Sequence, residues 1–432
     1  MKHGLKRSLK FVFWGGVSTS FVDTLVVGPT LLAYAALLGA GDITFGFLGA
    51  IPYFGNLAHL LSAWLIEHNY SIRKTAFRTA FISRYFLLIA ALLAFYPHMP
   101  GALFILISAL TLKYFIGCIS GGVWLPWMKS LIPEKIMGRF FAYRFKYMMI
   151  TKIICFWGTA LLFKYSDLFV SNEIYIYSIL FLIAFFVGLF SAWTLSQVDD
   201  KKQNISSSLS FKQKIVKSFQ NNSFRKLLYT LCFINFSIAF VTPFITIFML
   251  KYLDIPMSTI LIFTLIMQLS YTFVVKRLGI LADKLGTWKV IQVSIPLLVF
   301  SLIPFLFLNQ INTVEIVKYL LLGLGHIFLG IATAGITLGI NNASLIFVPK
   351  KSAAIYLSVN SVLKSFAGGL GSIVAGFILS FCTFTEKLLS NHFSIFYLNR
   401  WVFFFTFSIL LSIMAYLTIT RWKEYLMNKK ID

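Results

Sequence analysis

The segment Gly279-Ile-Leu-Ala-Asp283-Lys284-Leu-Gly286-Thr-Trp-Lys289 lies between two long apolar runs and has a counterpart far upstream. The counterpart, Ala63-Trp-Leu-Ile-Glu67-His-Asn-Tyr70-Ser-Ile-Arg73-Lys74, puts an acid and a base at the same spacing. The two are offset by 216 residues, half of the 432-residue chain. The same offset carries Ile132-Pro133-Glu134-Lys135 onto Val348-Pro349-Lys350-Lys351. Two loops that agree on one offset mark an internal duplication, so the chain reads as two halves of one design.

Composition says what surrounds these loops. The chain is 59% hydrophobic and 12% charged, with 47 Phe. Soluble domains carry about 25% charged residues, and a soluble chain of this length does not hide that much apolar surface. An integral membrane protein is the class that remains. Twelve apolar runs are long enough to span about 30 Å of hydrocarbon: 11–38, 44–66, 79–97, 101–127, 146–166, 173–195, 226–251, 257–276, 289–309, 316–344, 354–382 and 396–420. Nothing alternates with a period of two over about ten residues, which excludes barrel strands. The expected fold is an all-α membrane protein of twelve transmembrane helices in two six-helix lobes related by pseudo-symmetry.

The basic residues orient these spans. Of 38 Lys and Arg, 29 fall in the segments that are cytoplasmic if the N-terminus is, and 5 fall on the other side. This split predicts that both termini face the cytoplasm, and it accounts for most of the +24 formal charge without invoking nucleic acid. The N-terminal MKHGLKRSLK resembles the start of a signal peptide, but no cleavage pattern follows before about Leu38, so it reads as an attached first span. The polar stretch from Asp199 to Lys226 divides the chain into a lobe at 1–196, a cytoplasmic linker at 197–225 and a lobe at 226–432. An interfacial helix is expected around 211–219 in that linker.

The Gly279–Lys289 segment resembles the loop motif of the major facilitator superfamily, roughly G-x-x-x-D-x-x-G-x-x-[KR], at its second-half position. Ile132-Pro-Glu-Lys-Ile-Met-Gly138-Arg139-Phe-Phe-Ala-Tyr-Arg144 is similar to the loop after the fourth span of many bacterial members. The first-half copy carries Ala63 and Tyr70 where glycine is usual. The resemblance implies duplicated lobes that rock to give alternating access, a design built on repeats. It implies gating roles for Gly279, Asp283, Lys284, Gly286 and Lys289, for Glu67 and Arg73, and for Gly138 and Arg139. Asp283 and Glu67 would latch the lobes by accepting hydrogen bonds from a neighbouring helix N-terminus, where the dipole favours an anion. Glycine at 279 and 286 would allow close approach and tight turning.

Three ionisable residues sit deep in the spans. Asp23, Lys113 and Lys364 each lie 13 residues past a boundary marker (Lys10, Pro100 and Lys351). At 1.5 Å per residue that is roughly 20 Å, mid-membrane. A charge there costs at least about 2.5–3.5 kcal/mol, so each should face a cavity or a partner. The family resemblance places spans one and four on a central cavity, so Asp23 and Lys113 are expected to pair, with Asp23 as a proton-coupling carboxylate; a permanent structural ion pair is the alternative. His326, Asn235 and Gln268 are further candidates for solute or proton contact, and Asn56, Asn341 and Asn342 also need partners. Arg84 and Lys152 lie close to inner-loop charges and are expected to snorkel. Gly117–Gly122 and Gly368–Gly371 read as helix-packing stretches, and Trp124 and Trp127 as part of an interfacial belt.

The four cysteines show no CxxC spacing, and no Walker A, GxGxxG or HExxH pattern occurs. No metal, cofactor or enzymatic activity is expected. The reading is a secondary transporter, acting as a monomer in a bacterial inner membrane, that moves a small polar solute. The balance of deep charge favours an anion, with protons as a candidate coupling ion. The alternatives are a promiscuous drug or metabolite efflux pump and a non-transporting receptor on the same scaffold.

Overall fold

The computed structural model describes residues 3–68, 70–200, 216, 219–308, 314–346, 353–390 and 399–428. Among them there are helices and short turns, and no strand. The first eight helices are α1 (His3–Val26), α2 (Pro29–Leu37), α3 (Asp42–Gly55), α4 (Ala58–Glu67), α5 (Ile72–Leu93), α6 (Ala102–Leu131), α7 (Glu134–Lys164) and α8 (Ile174–Ser196). They are followed by α9 (Asn222–Ile247), α10 (Met257–Leu285), α11 (Thr287–Phe307), α12 (Glu315–Ile346), α13 (Ala353–Ser390) and α14 (Arg400–Asn428). A multi-pass membrane protein results.

Eleven stretches among the described residues are long and apolar enough to cross a membrane. The run expected at 44–66 is not one of them, because it is two shorter helices, α3 and α4, separated at Asn56–Leu57. Pro52 inside α3 removes a backbone donor just before this break. The first span, Gly4–Leu37, is also interrupted. Gly28 adopts φ +67° there, a conformation that costs other residues dearly, and Pro29 starts α2 with its fixed φ. Other helices start with side-chain caps: Lys74 N donates to Ser71 Oγ at 3.2 Å and Phe224 N to Asn221 Oδ1 at 3.0 Å.

The chain divides into two compact units. Unit 1 is Met1–Ala40 with Ile51–Phe211, and unit 2 is Gly41–Ala50 with Lys212–Asp432. In unit 1 the most extensive helix pairings are α5 with α6, α5 with α8, α1 with α8, α1 with α7, and α4 with α6. In unit 2 they are α11 with α12, α11 with α14, α9 with α14, α9 with α13, and α10 with α12. Pairing for pairing, the two sets correspond, as the 216-residue repeat leads one to expect.

Inside unit 1, Val12, Ile72, Trp127, Met128 and Val198 form one apolar cluster. Trp127 is fully buried and its Nε1 donates to the Asp199 carbonyl at 3.0 Å, so it is a core residue and not part of an interfacial belt. The beginning of the expected linker is therefore tied down. Ser8 Oγ donates to Asp199 Oδ2 at 3.0 Å, and Ser71 Oγ donates to Asp200 Oδ2 at 2.7 Å. The expected interfacial helix at 211–219 and the Val348–Lys351 loop lie largely outside the described residues.

Unit 2 holds residues 41–50 against α13. Ser372 Oγ donates to the Gly46 carbonyl at 2.9 Å, and Thr383 Oγ1 donates to Asp42 Oδ2 at 3.0 Å. Arg400 lies 4.0 Å from both Asp42 and Glu386. Its core is aromatic: Phe248, Phe305, Trp401, Phe404 and Phe405 form a connected set with ring centroids 5.1–6.0 Å apart. Such edge and offset contacts add to simple area burial.

Candidate functional site

Asp23 and Lys113 meet inside unit 1. Lys113 Nζ lies 3.9 Å from Asp23 Oδ1, an ion pair and not a hydrogen bond. The two ends differ in environment, because the lysine side chain is 4% exposed and the aspartate 47%. Asp23 sits in the last turn of α1, which ends at Val26 beside the Gly28 break. A helix C-terminus disfavours an anion, so the lysine offsets an unfavourable position as well as a charge. Lys113 Nζ also stands 3.8 Å above the Tyr114 ring.

The second helix break faces the same part of α6. A methyl at Gly55 would come within 3.0 Å of Tyr114 Cβ and 3.2 Å of Cys118 Sγ, so glycine lets α3 end close against α6. Cys118 Sγ donates a weak bond to Asn56 Oδ1 at 3.6 Å. Two interrupted helices thus flank one ionic centre.

The other expected solute residues lie in unit 2. Lys364 is half-buried on α13, within electrostatic reach of Cys232 on α9. Asn235 Nδ2 donates to the Leu231 carbonyl at 2.8 Å, inside its own helix. His326 is buried, stacked on Phe263 at 5.3 Å, with Nδ1 2.8 Å from the Leu322 carbonyl. Gln268 is half-buried on α10, and its carbonyl accepts from Thr272 Oγ1 at 2.8 Å.

The loop-motif residues are at helix ends. Asp283, Lys284 and Lys289 are exposed around Gly286, whose φ of +86° makes the turn from α10 to α11. That turn requires glycine, as expected. Gly279 is different: a side chain there would meet nothing within 4 Å, so no close backbone approach occurs. Gly138 and Arg139 are exposed in the first turns of α7. Glu67 and Arg73 are half-buried at the end of α4 and the start of α5.

No family model matches the sequence, and no curated protein is similar to it. Solved structures are similar over the whole chain. A bacterial homologue of the human lysosomal transporter Spinster superposes with a TM-score of 0.70 at 13% identity, covering 100% of this chain and 99% of that one. An auto-inhibited peptide transporter of the POT family gives 0.72 at 10% identity, covering 99% and 98%. The nucleoside transporter NupG gives 0.65 at 16% identity, covering 97% and 99%. The chain has the major facilitator fold. Its neighbours on that fold are transporters, not enzymes. At 10–16% identity the likeness is one of architecture, and the chemistry has to be read from this chain's own residues.

On this major facilitator scaffold two arginines matter that sequence spacing misplaced. Arg84 does not snorkel. It is 9% exposed, packed inside unit 1, and its Nε has no hydrogen-bond partner among the described residues. Gly188 on α8 makes its room, since a methyl there would come within 2.7 Å of Arg84 Cδ. Arg144, which the sequence presents as one more loop charge, turns inward. Its Nε donates to the Val12 carbonyl at 3.2 Å and its guanidinium lies 4.7 Å from the Trp124 ring centroid. The sequence signal for both was a helix-facing glycine on another segment, which no local pattern exposes. Among the described residues, no group of His, Cys, Asp and Glu is arranged to hold a metal.

Proposed function

We propose that this protein is a secondary transporter that moves a small polar solute by alternating access. The observation that carries the reading is the Asp23–Lys113 pair, set between two interrupted helices on a transporter fold. Discontinuous helices are where such folds place solute and ion sites. In this reading residues 42–67 cross as one broken span, which makes twelve. The lobes are 1–196 and 226–432, joined by a cytoplasmic linker with both termini on its side, in a bacterial inner membrane. Asp283 and Glu67 act with their motif neighbours as gate contacts between the lobes. Lys364, His326, Asn235 and Gln268 contribute the second lobe's polar contacts.

The coupling step follows from the unequal exposure of the pair. Asp23 is half-open and accessible to protons, whereas Lys113 is enclosed. Protonating Asp23 leaves an enclosed cation without its anion, a loss of about 3–5 kcal/mol when complete. A solute carboxylate or phosphate taken up in the interior of unit 1 restores the balance of charge. Proton and solute binding are thereby linked through one side chain.

The test is purified protein in proteoliposomes under an imposed pH gradient, with dipeptides, nucleosides, sugar phosphates and dicarboxylates as labelled solutes. Uptake of one class is expected, driven by the gradient. Asp23→Asn should lose gradient-driven uptake and keep exchange between equal solute pools. Gradient-driven uptake that survives Asp23→Asn would remove the coupling role. Flux of no solute, with a protein partner co-purifying, would favour the receptor alternative.

A further inference from the structure

Unit 1 also holds a partly open cavity of about 220 Å³ between α1, α5, α6, α7 and α8. Both inward arginines line it, and no carboxylate does. The rest of its wall mixes hydroxyls (Thr19, Ser120 and Ser191) and glycines with the apolar Trp124 and Leu195. Thr19 Oγ1 and Ser191 Oγ are 2.8 Å apart, and Ser191 Oγ donates to the Gly15 carbonyl at 3.2 Å. Gly117 and Gly121 line the α6 side, so no side chain of theirs fills the space.

Both guanidinium groups are seated by glycine. Gly188 leaves room for Arg84, and a methyl at Gly16 would overlap the Arg144 guanidinium. The seats are thus built for arginine, yet neither arginine has an ion-pair partner among the described residues. Asp23 is the acid whose charge reaches Arg84, and it already engages Lys113. Arg84 and Lys113 therefore share the charge of Asp23. An enclosed charge without a counter-ion is costly, and the arginine fork fits a carboxylate or phosphate with two parallel bonds. The volume is below the roughly 300–1,000 Å³ of pockets for drug-sized ligands.

We propose that the cavity binds the oxyanion group, carboxylate or phosphate, of a small solute between Arg84 and Arg144. This deepens the transport reading by assigning a charged headgroup to the solute and a place for it apart from Lys113. A lipid phosphate offers the same chemistry, and the experiment separates the two sources.

The experiment is thermal unfolding of the whole protein in neutral phosphatidylcholine nanodiscs, titrated with inorganic phosphate or succinate against chloride at matched ionic strength. Saturable stabilisation by at least one oxyanion is expected, weakened about tenfold or more in Arg84→Gln and Arg144→Gln. Ser120→Leu, which fills the cavity and keeps both arginines, should abolish it. This variant keeps the test meaningful if either glutamine variant folds poorly. No saturable response to either anion would overturn the proposal, and so would unchanged binding in Arg84→Gln and Ser120→Leu. Stabilisation that appears only in phosphatidylglycerol discs would assign the site to lipid and overturn the solute assignment. Binding needs no gradient, so the two readings fail separately. Arginine-dependent binding without flux would remove transport, and flux without oxyanion binding would remove this site.

Discussion

The two units share a pairing scheme, both bury aromatic rings, and they differ in where they bury charge. Among the described residues, the lysine and arginine side chains that are buried are Arg84 and Lys113, both in unit 1. At the repeat offset Lys113 becomes Leu329, which is 3% exposed. Unit 2 instead buries Phe240, Phe244, Phe248, Phe305, Trp401 and Phe404. A duplicated frame fixes which helices touch, because pairing depends on small residues and overall shape. It does not fix what sits at the contacts. Charge enters where a cavity and glycine notches can hold it, while aromatic rings close-pack the other frame.

If the aromatic set around Trp401 serves packing alone, its disruption should cost stability and spare solute recognition. Trp401→Ala is expected to lower unfolding free energy by about 3–5 kcal/mol, read by thermal or denaturant unfolding. An altered KM at unchanged stability would break the contrast between the units.

The next effect lies in the ion pair and is asymmetric. Asp23→Asn strands an enclosed lysine and should cost on the order of 3 kcal/mol. Lys113→Met leaves a half-exposed carboxylate and should cost about 1 kcal/mol, since water can take over part of the lost interaction. Equal losses in the two variants would show that the pair is evenly solvated, contrary to the 4% and 47% exposures.

Gly188→Ala probes the arginine seat. Its methyl would press on Arg84 Cδ, with a stability loss of about 1–2 kcal/mol. Phosphate stabilisation should weaken with it. Gly138→Ala, which meets open space, is the control and should leave phosphate stabilisation as it was. Smallest of all is Trp401→Phe. It removes a buried N–H that has no partner among the described residues and keeps the ring, so stability should stay within about 1 kcal/mol or rise.

Much of the architecture was legible before any coordinates. Length and hydropathy mark the helices because a bilayer leaves backbone groups no other way to be satisfied. The Glu67 and Asp283 loops mark the duplication; the depth of Asp23 and Lys113 calls for partners, and the family resemblance implies that they meet. The break at Asn56–Leu57 was not legible, because summed hydropathy across 44–66 stays high whether or not the helix is continuous. Trp127 was misplaced for a related reason: nothing in its own segment shows that the Asp199 carbonyl will lie 3.0 Å from its Nε1.

By itself the sequence determined a helical, duplicated membrane protein with ionisable groups at mid-depth, since each of those follows from residue type and distance along the chain. Only the tertiary structure decided which charges are paired and which are left waiting. Asp23 meets Lys113, and Arg84 and Arg144 line one cavity, where Gly188 and Gly16 leave their side chains space on helices remote in sequence. The direction a buried arginine takes depends on the room its neighbours give it, and that room exists only once the helices pack.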